Sequence, residues 1–410
     1  MSKIIPFKGV RPKNDLASSV IAPPYDVLSE EEARAIATKK PTSFIRVTRS
    51  EVDLPVGSDS HSEEAYIGAK NRLQLFLNEG TLVQDDQPCF YLYTQTWMGR
   101  TQYGLMALCD TEEYDNNLIK KHELTRPDKE QDRTDHINIL GAQTGLVFLT
   151  YRNNVPEVKD IMTTIKELSP LWTVKTDDGV EHNLTQISDA DLVSSLESAF
   201  SKVPALYIAD GHHRSAAASR VAKLKNQKGS SRYFLTGIFP DDELYVMAYN
   251  RMIKDLNGLR PEVFLAKISE IFAVTPDVSS IPEQRGTYTM YLQGRWYGLQ
   301  VKEELRESII PNDPVGILDV SVLQNQVLAP MLGIENPRTD KRIAFVGGIR
   351  GPEFLSQAVD NGDMAVAFHL YPTGIGQLLD VADANALMPP KSTWFEPKLR
   401  GGVLIHKLES

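Results

Sequence analysis

The clearest structural signal in the chain is one segment, Leu206-Tyr207-Ile208-Ala209-Asp210-Gly211-His212-His213-Arg214-Ser215-Ala216-Ala217-Ala218. Its apolar first part predicts a buried strand over residues 204–209, and its alanine-rich part predicts a helix over residues 215–224. Residues 210–214 are predicted to form the loop between them, where Gly211 lets the backbone turn sharply or approach a ligand closely. Because ligands of α/β proteins usually bind at such strand ends, we expect a functional site in this loop.

The polar residues of this loop indicate a site that handles phosphate. Unpaired N–H groups at a helix N-terminus favour anions, and Arg214 can add a bidentate clamp. His212 and His213 supply donors or proton carriers near neutral pH. Asp210 could hold Mg²⁺ or orient a histidine. A structural alternative, in which Asp210 caps the helix and the histidines are merely exposed, does not explain three consecutive imidazole and guanidinium groups at the end of a buried strand.

A second polar segment lies upstream, at residues 120–127, and reads Lys-Lys-His-Glu-Leu-Thr-Arg-Pro. Its carboxylate, Glu123, stands beside basic groups, and a Glu in such surroundings can have the shifted pKa of a general base. The alternative is a solvated charged loop with no chemical role. Composition alone does not decide between the two.

Composition restricts the classes of function. The chain has 410 residues, a formal net charge of −10 and two cysteines. The acidic charge disfavours nucleic acid as a partner, and two cysteines cannot build a zinc site or a disulfide framework. No apolar run reaches the roughly 18 residues that a membrane span needs, and the N-terminus has no long apolar segment of a secretory signal. We expect a cytoplasmic protein with no membrane partner.

Strand and helix patterns are mixed along the chain, which favours an α/β (α+β) fold. A helix is predicted from Ser29, because Ser29 and Glu32 match a capping box, and another is predicted over residues 62–78. Strands are predicted over residues 90–97 and 103–108, around a turn at Gly99. The glycine-rich pieces at 347–348 and 374–376 match neither a P-loop nor a complete dinucleotide fingerprint, and no serine-hydrolase elbow is present.

Several segments together resemble a bacterial family called domain of unknown function 1015. They follow the family's order along nearly the whole chain: residues 22–27 (Ala-Pro-Pro-Tyr-Asp-Val), 121–123 (Lys-His-Glu), 207–214 (Tyr-Ile-Ala-Asp-Gly-His-His-Arg), 249–251 (Tyr-Asn-Arg), 256–258 (Leu-Asn-Gly) and 388–393 (Met-Pro-Pro-Lys-Ser-Thr). The Asp-Gly-His-His-Arg core is similar to the phosphate-binding motif of the ParB/sulfiredoxin superfamily. The resemblance implies a ParB/sulfiredoxin-like core over residues 101–240, with elaborated N-terminal (1–100) and C-terminal (241–410) parts.

Within that superfamily, the sequence is most similar to kinases that act on free L-serine. Sulfiredoxins need a cysteine where this chain has His212, and partition proteins need DNA contacts that the acidic charge disfavours. The kinases carry a similar Asp-Gly-His-x-Arg run, with a catalytic Glu on its N-terminal side. The resemblance therefore implies phosphotransfer from ATP or ADP, with Mg²⁺, to the hydroxyl of a small amino acid such as L-serine.

The same resemblance implies a role for each candidate residue. Glu123 would accept the hydroxyl proton with help from His122, Asp210 would hold Mg²⁺ or orient a histidine, and Arg126 or Arg133 would bind the substrate carboxylate. The phosphates would be bound by Gly211, His212, His213 and Arg214. Two alternatives remain open: a nucleotide-binding or slowly hydrolysing switch module, which needs the loop but not Glu123, and an inactive structural protein, which needs neither.

Overall fold

The computed structural model describes residues 2–310 and 312–409, which form two compact units. One unit contains the residues up to Leu244 together with those from Pro397 onward, and the other is Tyr245–Glu396. The sequence predicted another division, into residues 1–100, 101–240 and 241–410. The structure differs because a hairpin crosses the boundary at residue 100 and because the C-terminal residues return to the first unit.

The first unit combines short helices with one large sheet. Its strands are β1 (Val10–Pro12), β2 (Leu82–Gln84), β3 (Phe90–Trp97), β4 (Arg100–Asp110), β5 (Ile119–Lys120), β6 (Ala142–Gln143), β7 (Val147–Tyr151), β8 (Trp172–Lys175), β9 (Glu181–Ile187), β10 (Leu206–Asp210), β11 (Tyr233–Pro240) and, near the C-terminus, β20 (His406–Lys407). Its α-helices are α1 (Ala17–Val20), α2 (Glu30–Lys39), α3 (Ile45–Thr48), α4 (Glu63–Asn78), α5 (Thr111–Asp115), α6 (Pro127–Leu140), α7 (Pro156–Lys166), α8 (Ala190–Phe200) and α9 (His212–Leu224).

Eight of these strands form a mixed sheet in the order β5-β10-β7-β11-β4-β3-β9-β8. The pairs β5–β10 and β7–β11 are parallel, and the other neighbours are antiparallel. Strands of both senses with helices between them confirm the expected mixed α/β class. The two-residue strand β5 lies at the edge beside β10, which determines where the polar segments after these two strands meet.

Helix α9 is held against the sheet by its small apolar residues. Ala216 and Ala218 belong to the same core cluster as Leu149 of β7 and Ile208 of β10, and both of these strand side chains are fully buried. Alanine lets a helix backbone approach a sheet closely, and each fully buried Leu or Ile contributes about 1.5–3 kcal/mol. The first turn of α9 is therefore fixed relative to the end of β10.

The predicted helix starts in the N-terminal region are confirmed. Ser29 caps α2 in a capping box, in which its Oγ accepts from the Glu32 N–H at 3.2 Å and the Glu32 carboxylate accepts from the Ser29 N–H at 2.8 Å. Ser62 caps α4, whose bounds agree closely with the predicted 62–78. These caps satisfy backbone donors that have no partner within the helix.

The second unit is built on an antiparallel sheet of six strands in the order β14-β16-β15-β18-β13-β17. Its strands are β12 (Tyr245–Met247), β13 (Tyr249–Ile253), β14 (Phe272–Pro276), β15 (Thr287–Leu292), β16 (Arg295–Val301), β17 (Ile343–Gly347), β18 (Val366–Leu370) and β19 (Trp394–Glu396). Its α-helices are α10 (Pro261–Ile271), α11 (Glu303–Ile309), α12 (Asp319–Leu323), α13 (Gly351–Asp360) and α14 (Ile375–Asp383). Strands β12 and β19 form a separate two-stranded ribbon.

Across residues 2–310 and 312–409, no helix combines the length and the apolar character that crossing a membrane would require.

Candidate active site

The two polar segments singled out in the sequence meet at one edge of the large sheet. Strands β5 and β10 run parallel, with Ile119 opposite Leu206 and Lys120 opposite Tyr207. Parallel neighbours leave a sheet at the same end, so the segments that follow them emerge side by side. As a result, Glu123 Oε2 lies 4.0 Å from His212 Nδ1, although the two residues are 89 positions apart in the sequence.

Helix α9 begins earlier than the sequence indicated. The predicted loop over residues 210–214 is only a turn at Gly211, and His212, His213 and Arg214 form the first turn of the helix. The reason is the backbone of Gly211, whose φ of 104° reverses the chain in a single residue and lets the helix start at the next. The first turn of α9 therefore follows directly on the end of β10, and no side chain caps its first N–H groups, which suits anion binding at a helix terminus.

Two buried imidazole rings form the floor of the site. His122 and His212 meet edge to face with ring centroids 4.5 Å apart, and the Ile208 backbone hydrogen-bonds to His122. Burial lowers the pKa of His122 to about 4 and holds the pKa of His212 well below its ordinary value. Both rings are therefore neutral at pH 7, and each offers one donor and one acceptor nitrogen.

One nitrogen of each ring is buried without a hydrogen-bond partner among the described residues: Nδ1 of His122 and Nε2 of His212. An unmade hydrogen bond of this kind costs about 1–3 kcal/mol. Such a cost is typical of polar groups whose partner is a water or a ligand. The two histidines are thus suited to bind a polar ligand at the start of α9.

His213 connects the two segments from the other side. Its Nε2 accepts a hydrogen bond from the Arg126 backbone N–H at 3.0 Å, so it braces the loop that carries Glu123. The Arg126 side chain is 65% exposed and pairs with Asp128 at 2.7 Å. The structure brings the backbone of Arg126 to the site, whereas its guanidinium pairs with Asp128 in the first turn of α6.

Asp210 lies at the end of β10 between two cations. Its carboxylate is 3.7 Å from Arg214 Nη2 and 3.5 Å from Lys398 Nζ, and its charge also favours the protonated forms of His122 and His212. Mg²⁺ usually binds through carboxylates together with substrate phosphates. A single carboxylate shared by two cationic side chains does not make a magnesium ligand set, so the expected magnesium role of Asp210 stays a prediction and no chemical step is assigned to it.

A different cation could bind nearby. Within the described part of the chain, donor atoms of His122, Glu123 and His212 all lie within 4.8 Å of one another. Two imidazoles and one carboxylate suit zinc or another first-row transition metal better than magnesium. Binding such an ion would engage the Glu123 carboxylate.

Arg214 points into a cavity beside the first turn of α9. Its aliphatic part and guanidinium fit against two glycines, because a Cβ on Gly145 would lie 3.1 Å from Arg214 Cδ and a Cβ on Gly211 would lie 3.0 Å from Nε. The cavity encloses about 620 Å³ of empty space, part of it open to solvent, and is also lined by Arg133 and Arg400. Arg133 was expected from the sequence and is placed here, whereas Arg400 was not expected.

The segment at residues 22–27 also reaches this cavity. Pro24 and Tyr25 line it, and the Arg133 guanidinium lies 4.3 Å from the centre of the Tyr25 ring. Cation–π stacking of this kind holds a guanidinium in a fixed plane. Sequence reasoning on turn chemistry alone missed Tyr25. The family resemblance could have indicated it, because residues 22–27 belong to the same set of family segments as residues 121–123 and 207–214.

The remaining motif segments lie in the second unit, where residues 249–251 contact residues 388–393. The buried Arg251 guanidinium donates to the backbone carbonyls of Tyr249, Pro390 and Lys391, and burial lowers its pKa to about 10. These bonds hold the segment at residues 388–393 against β13. Asn257 and Gly258 both have positive φ, so the Leu-Asn-Gly segment forms a tight turn.

Comparison with known proteins gives one family and a set of distant structural relatives. A mutant free serine kinase in complex with AMP is 13% identical, with a TM-score of 0.37 over 74% of this chain and 92% of the other. SbnI with a C-terminal truncation from Staphylococcus aureus is 12% identical, with a TM-score of 0.41 over 74% and 87%. A conserved hypothetical protein from Pyrococcus furiosus is 12% identical, with a TM-score of 0.35 over 74% and 95%.

No curated protein matches the chain. One family model does, and it covers residues 4–321. That range contains the three segments that meet at the end of β10, namely residues 22–27, 121–123 and 207–214. The chain therefore belongs to the family described as protein of unknown function (DUF1015).

Proposed function

We propose that the protein is a nucleotide-dependent phosphotransferase that acts on the hydroxyl of a small amino acid, with free L-serine as the first candidate. One observation carries the proposal. The parallel pairing of β5 and β10 brings the Glu123 carboxylate to within 4.0 Å of His212, in the first turn of α9. A carboxylate beside an anion-binding helix terminus places a group that can take the hydroxyl proton next to one that can bind phosphate.

The phosphate side of the site is the start of α9. The N–H groups that follow Gly211 have no partner within the helix, and the helix dipole favours an anion there. Arg214 adds a guanidinium whose planar fork matches phosphate oxygens. Two neutral histidines offer further donors without the repulsion that two adjacent imidazolium ions would create.

The acceptor side of the site is Glu123, whose side chain is 34% exposed and can therefore meet a substrate. In the proposed step, the hydroxyl oxygen of serine attacks the terminal phosphorus of the nucleotide. The bond from that phosphorus to the bridging oxygen breaks, and the shortened nucleotide leaves with the electron pair. The Glu123 carboxylate takes the hydroxyl proton, while Mg²⁺ would enter bound to the nucleotide phosphates.

L-Serine is proposed from the resemblance of residues 210–214 to the motif of free L-serine kinases. The direct test is to incubate the purified protein with Mg²⁺ and either ATP or ADP, with and without L-serine, and to follow phosphoserine by mass spectrometry. Serine-dependent phosphoserine with one of the two donors supports the proposal. Nucleotide binding without phosphoserine from either donor rejects serine as the acceptor and supports the alternative, a nucleotide-responsive switch module.

A further inference from the structure

Three arginines with little exposed surface, from distant parts of the first unit, line the cavity beside α9. Arg133 lies on α6, Arg214 lies on α9, and Arg400 lies in the C-terminal residues that return to this unit. Their side chains are only 12%, 15% and 8% exposed. Arg400 lies outside the residues that the family model matches, so family membership assigns it no role.

Among the described residues, each of these arginines forms an ion pair with one carboxylate, which leaves most of its donors for other groups. Arg133 pairs with Asp132 at 2.6 Å, Arg214 pairs with Asp210 at 3.7 Å, and Arg400 pairs with Asp178. A guanidinium has five N–H donors, and a carboxylate satisfies two of them at most in a bidentate pair. Three such groups around one cavity are costly to desolvate unless something else accepts from them.

One donor of these three arginines has no acceptor in the described part of the chain. The Nε of Arg400 is buried and has no hydrogen-bond partner among the described residues. Its Nη2 donates to Asp178 and contacts Thr176 Oγ1 at 3.3 Å, so the side chain is fixed in place while Nε remains unpaired. A buried N–H of a charged group without an acceptor is a strong indication of a missing polar partner.

Among the described residues, the rest of the wall carries no carboxylate; it is largely apolar, with a few polar groups. Thr48 and Thr144 contribute hydroxyl groups, and His136 is held neutral because burial lowers its pKa to about 4. The Arg214 side chain is seated against Gly145 and Gly211, and Arg133 is stacked on Tyr25. The guanidinium groups are thus held in position by neighbours that do not compete for an anion.

We propose that this cavity binds the oxyanion group of a small ligand through Arg133, Arg214 and Arg400. Carboxylate and phosphate share the geometry that a guanidinium fork recognises. Under the proposed function, two ligands carry an oxyanion group: the amino acid has a carboxylate and the nucleotide has phosphates. The choice of test ligands rests on that proposal, but the existence of the oxyanion site does not.

The test measures binding of L-serine and of ATP or ADP to the full-length protein by titration calorimetry. Arg400→Lys keeps the charge and removes the planar fork. The double variant Arg400→Met with Asp178→Asn removes both charges of the ion pair, which avoids leaving the Asp178 carboxylate without its cationic partner. Arg295→Met is the matched control, because Arg295 is exposed and pairs with Asp277 in the second unit.

We expect both Arg400 variants to weaken one ligand at least 10-fold while the control binds as the unmodified protein does. Weaker serine binding assigns the site to the carboxylate, and weaker nucleotide binding assigns it to phosphate. Unchanged affinities for both ligands in both variants overturn the proposal. If the unmodified protein binds neither ligand, the proposed function fails by itself. In that case, inorganic phosphate and acetate serve as the test ligands. If they raise the unfolding temperature of the unmodified protein but not of the variants, the oxyanion site is supported. If they do not stabilise the unmodified protein, the oxyanion site is rejected.

Discussion

Replacing Gly211 with alanine should weaken both nucleotide binding and the fold. The φ of this residue is +104°, a conformation that costs an L-residue about 1–3 kcal/mol. The new Cβ would also lie 3.0 Å from Arg214 Nε and 3.1 Å from Nη2, so the guanidinium must move. A lost hydrogen bond from a charged group is worth about 1.5–3 kcal/mol, which corresponds to about 10- to 150-fold weaker nucleotide binding.

Two measurements separate the effects on binding and on stability. Calorimetric titration gives the nucleotide affinity, and thermal unfolding gives the change in stability, at about 2–4 °C for each kcal/mol in a folding unit of roughly 150–250 residues. The matched control is Gly99→Ala in the turn between β3 and β4. Gly99 also has positive φ, +73°, but a Cβ there would meet nothing within 4 Å. If Gly211→Ala and Gly99→Ala bind nucleotide equally tightly, the start of α9 is not the phosphate site.

Two further predictions concern the stability of the fold. Gly104→Ala should destabilise the protein by about 1–3 kcal/mol or more, because a Cβ there would lie 2.2–2.6 Å from three ring atoms of the buried Phe239, and urea unfolding should show a lower midpoint. Stability should also fall as the pH drops from about 6.5 towards 4, because burial lowers the folded-state pKa of His122 and His406 to about 4 and the unfolded chain therefore takes up protons first. Thermal unfolding measured across this pH range tests whether stability falls as predicted. If stability depends on pH equally in the unmodified protein and in a His406→Asn variant, the contribution assigned to His406 is wrong.

Short-range sequence patterns predicted the helices and strands whose formation depends on neighbouring residues. The capping box at Ser29 and Glu32, the helix near residues 62–78 and the strand that precedes Asp210 all follow from short-range patterns. The start of α9 was misplaced because Gly211, which was recognised as a turn residue, reverses the chain in one step and leaves no room for a loop. A glycine between a strand and an alanine-rich helix can therefore serve as the helix N-cap itself.

Long-range pairing accounts for what the sequence could not show. The approach of Glu123 to His212 depends on β5, a strand of only two residues that no periodicity reveals. The ion pair of Lys398 with Asp210 and the placement of Arg400 in the cavity depend on the return of the C-terminal residues to the first unit. None of these three features has a local sequence signal, because each depends on segments that are more than 80 residues apart in the chain.

The most direct test of the account is a Glu123→Gln variant, which keeps the shape of the side chain and removes its ability to take a proton. The account predicts that this variant binds nucleotide as the unmodified protein does and loses serine-dependent phosphoserine formation by about 10²- to 10⁴-fold. Glu157→Gln is the matched control, because Glu157 forms an exposed ion pair with Lys202 and should change neither quantity. Undiminished phosphoserine formation by Glu123→Gln would contradict the claim that Glu123 and the start of α9 form one catalytic centre.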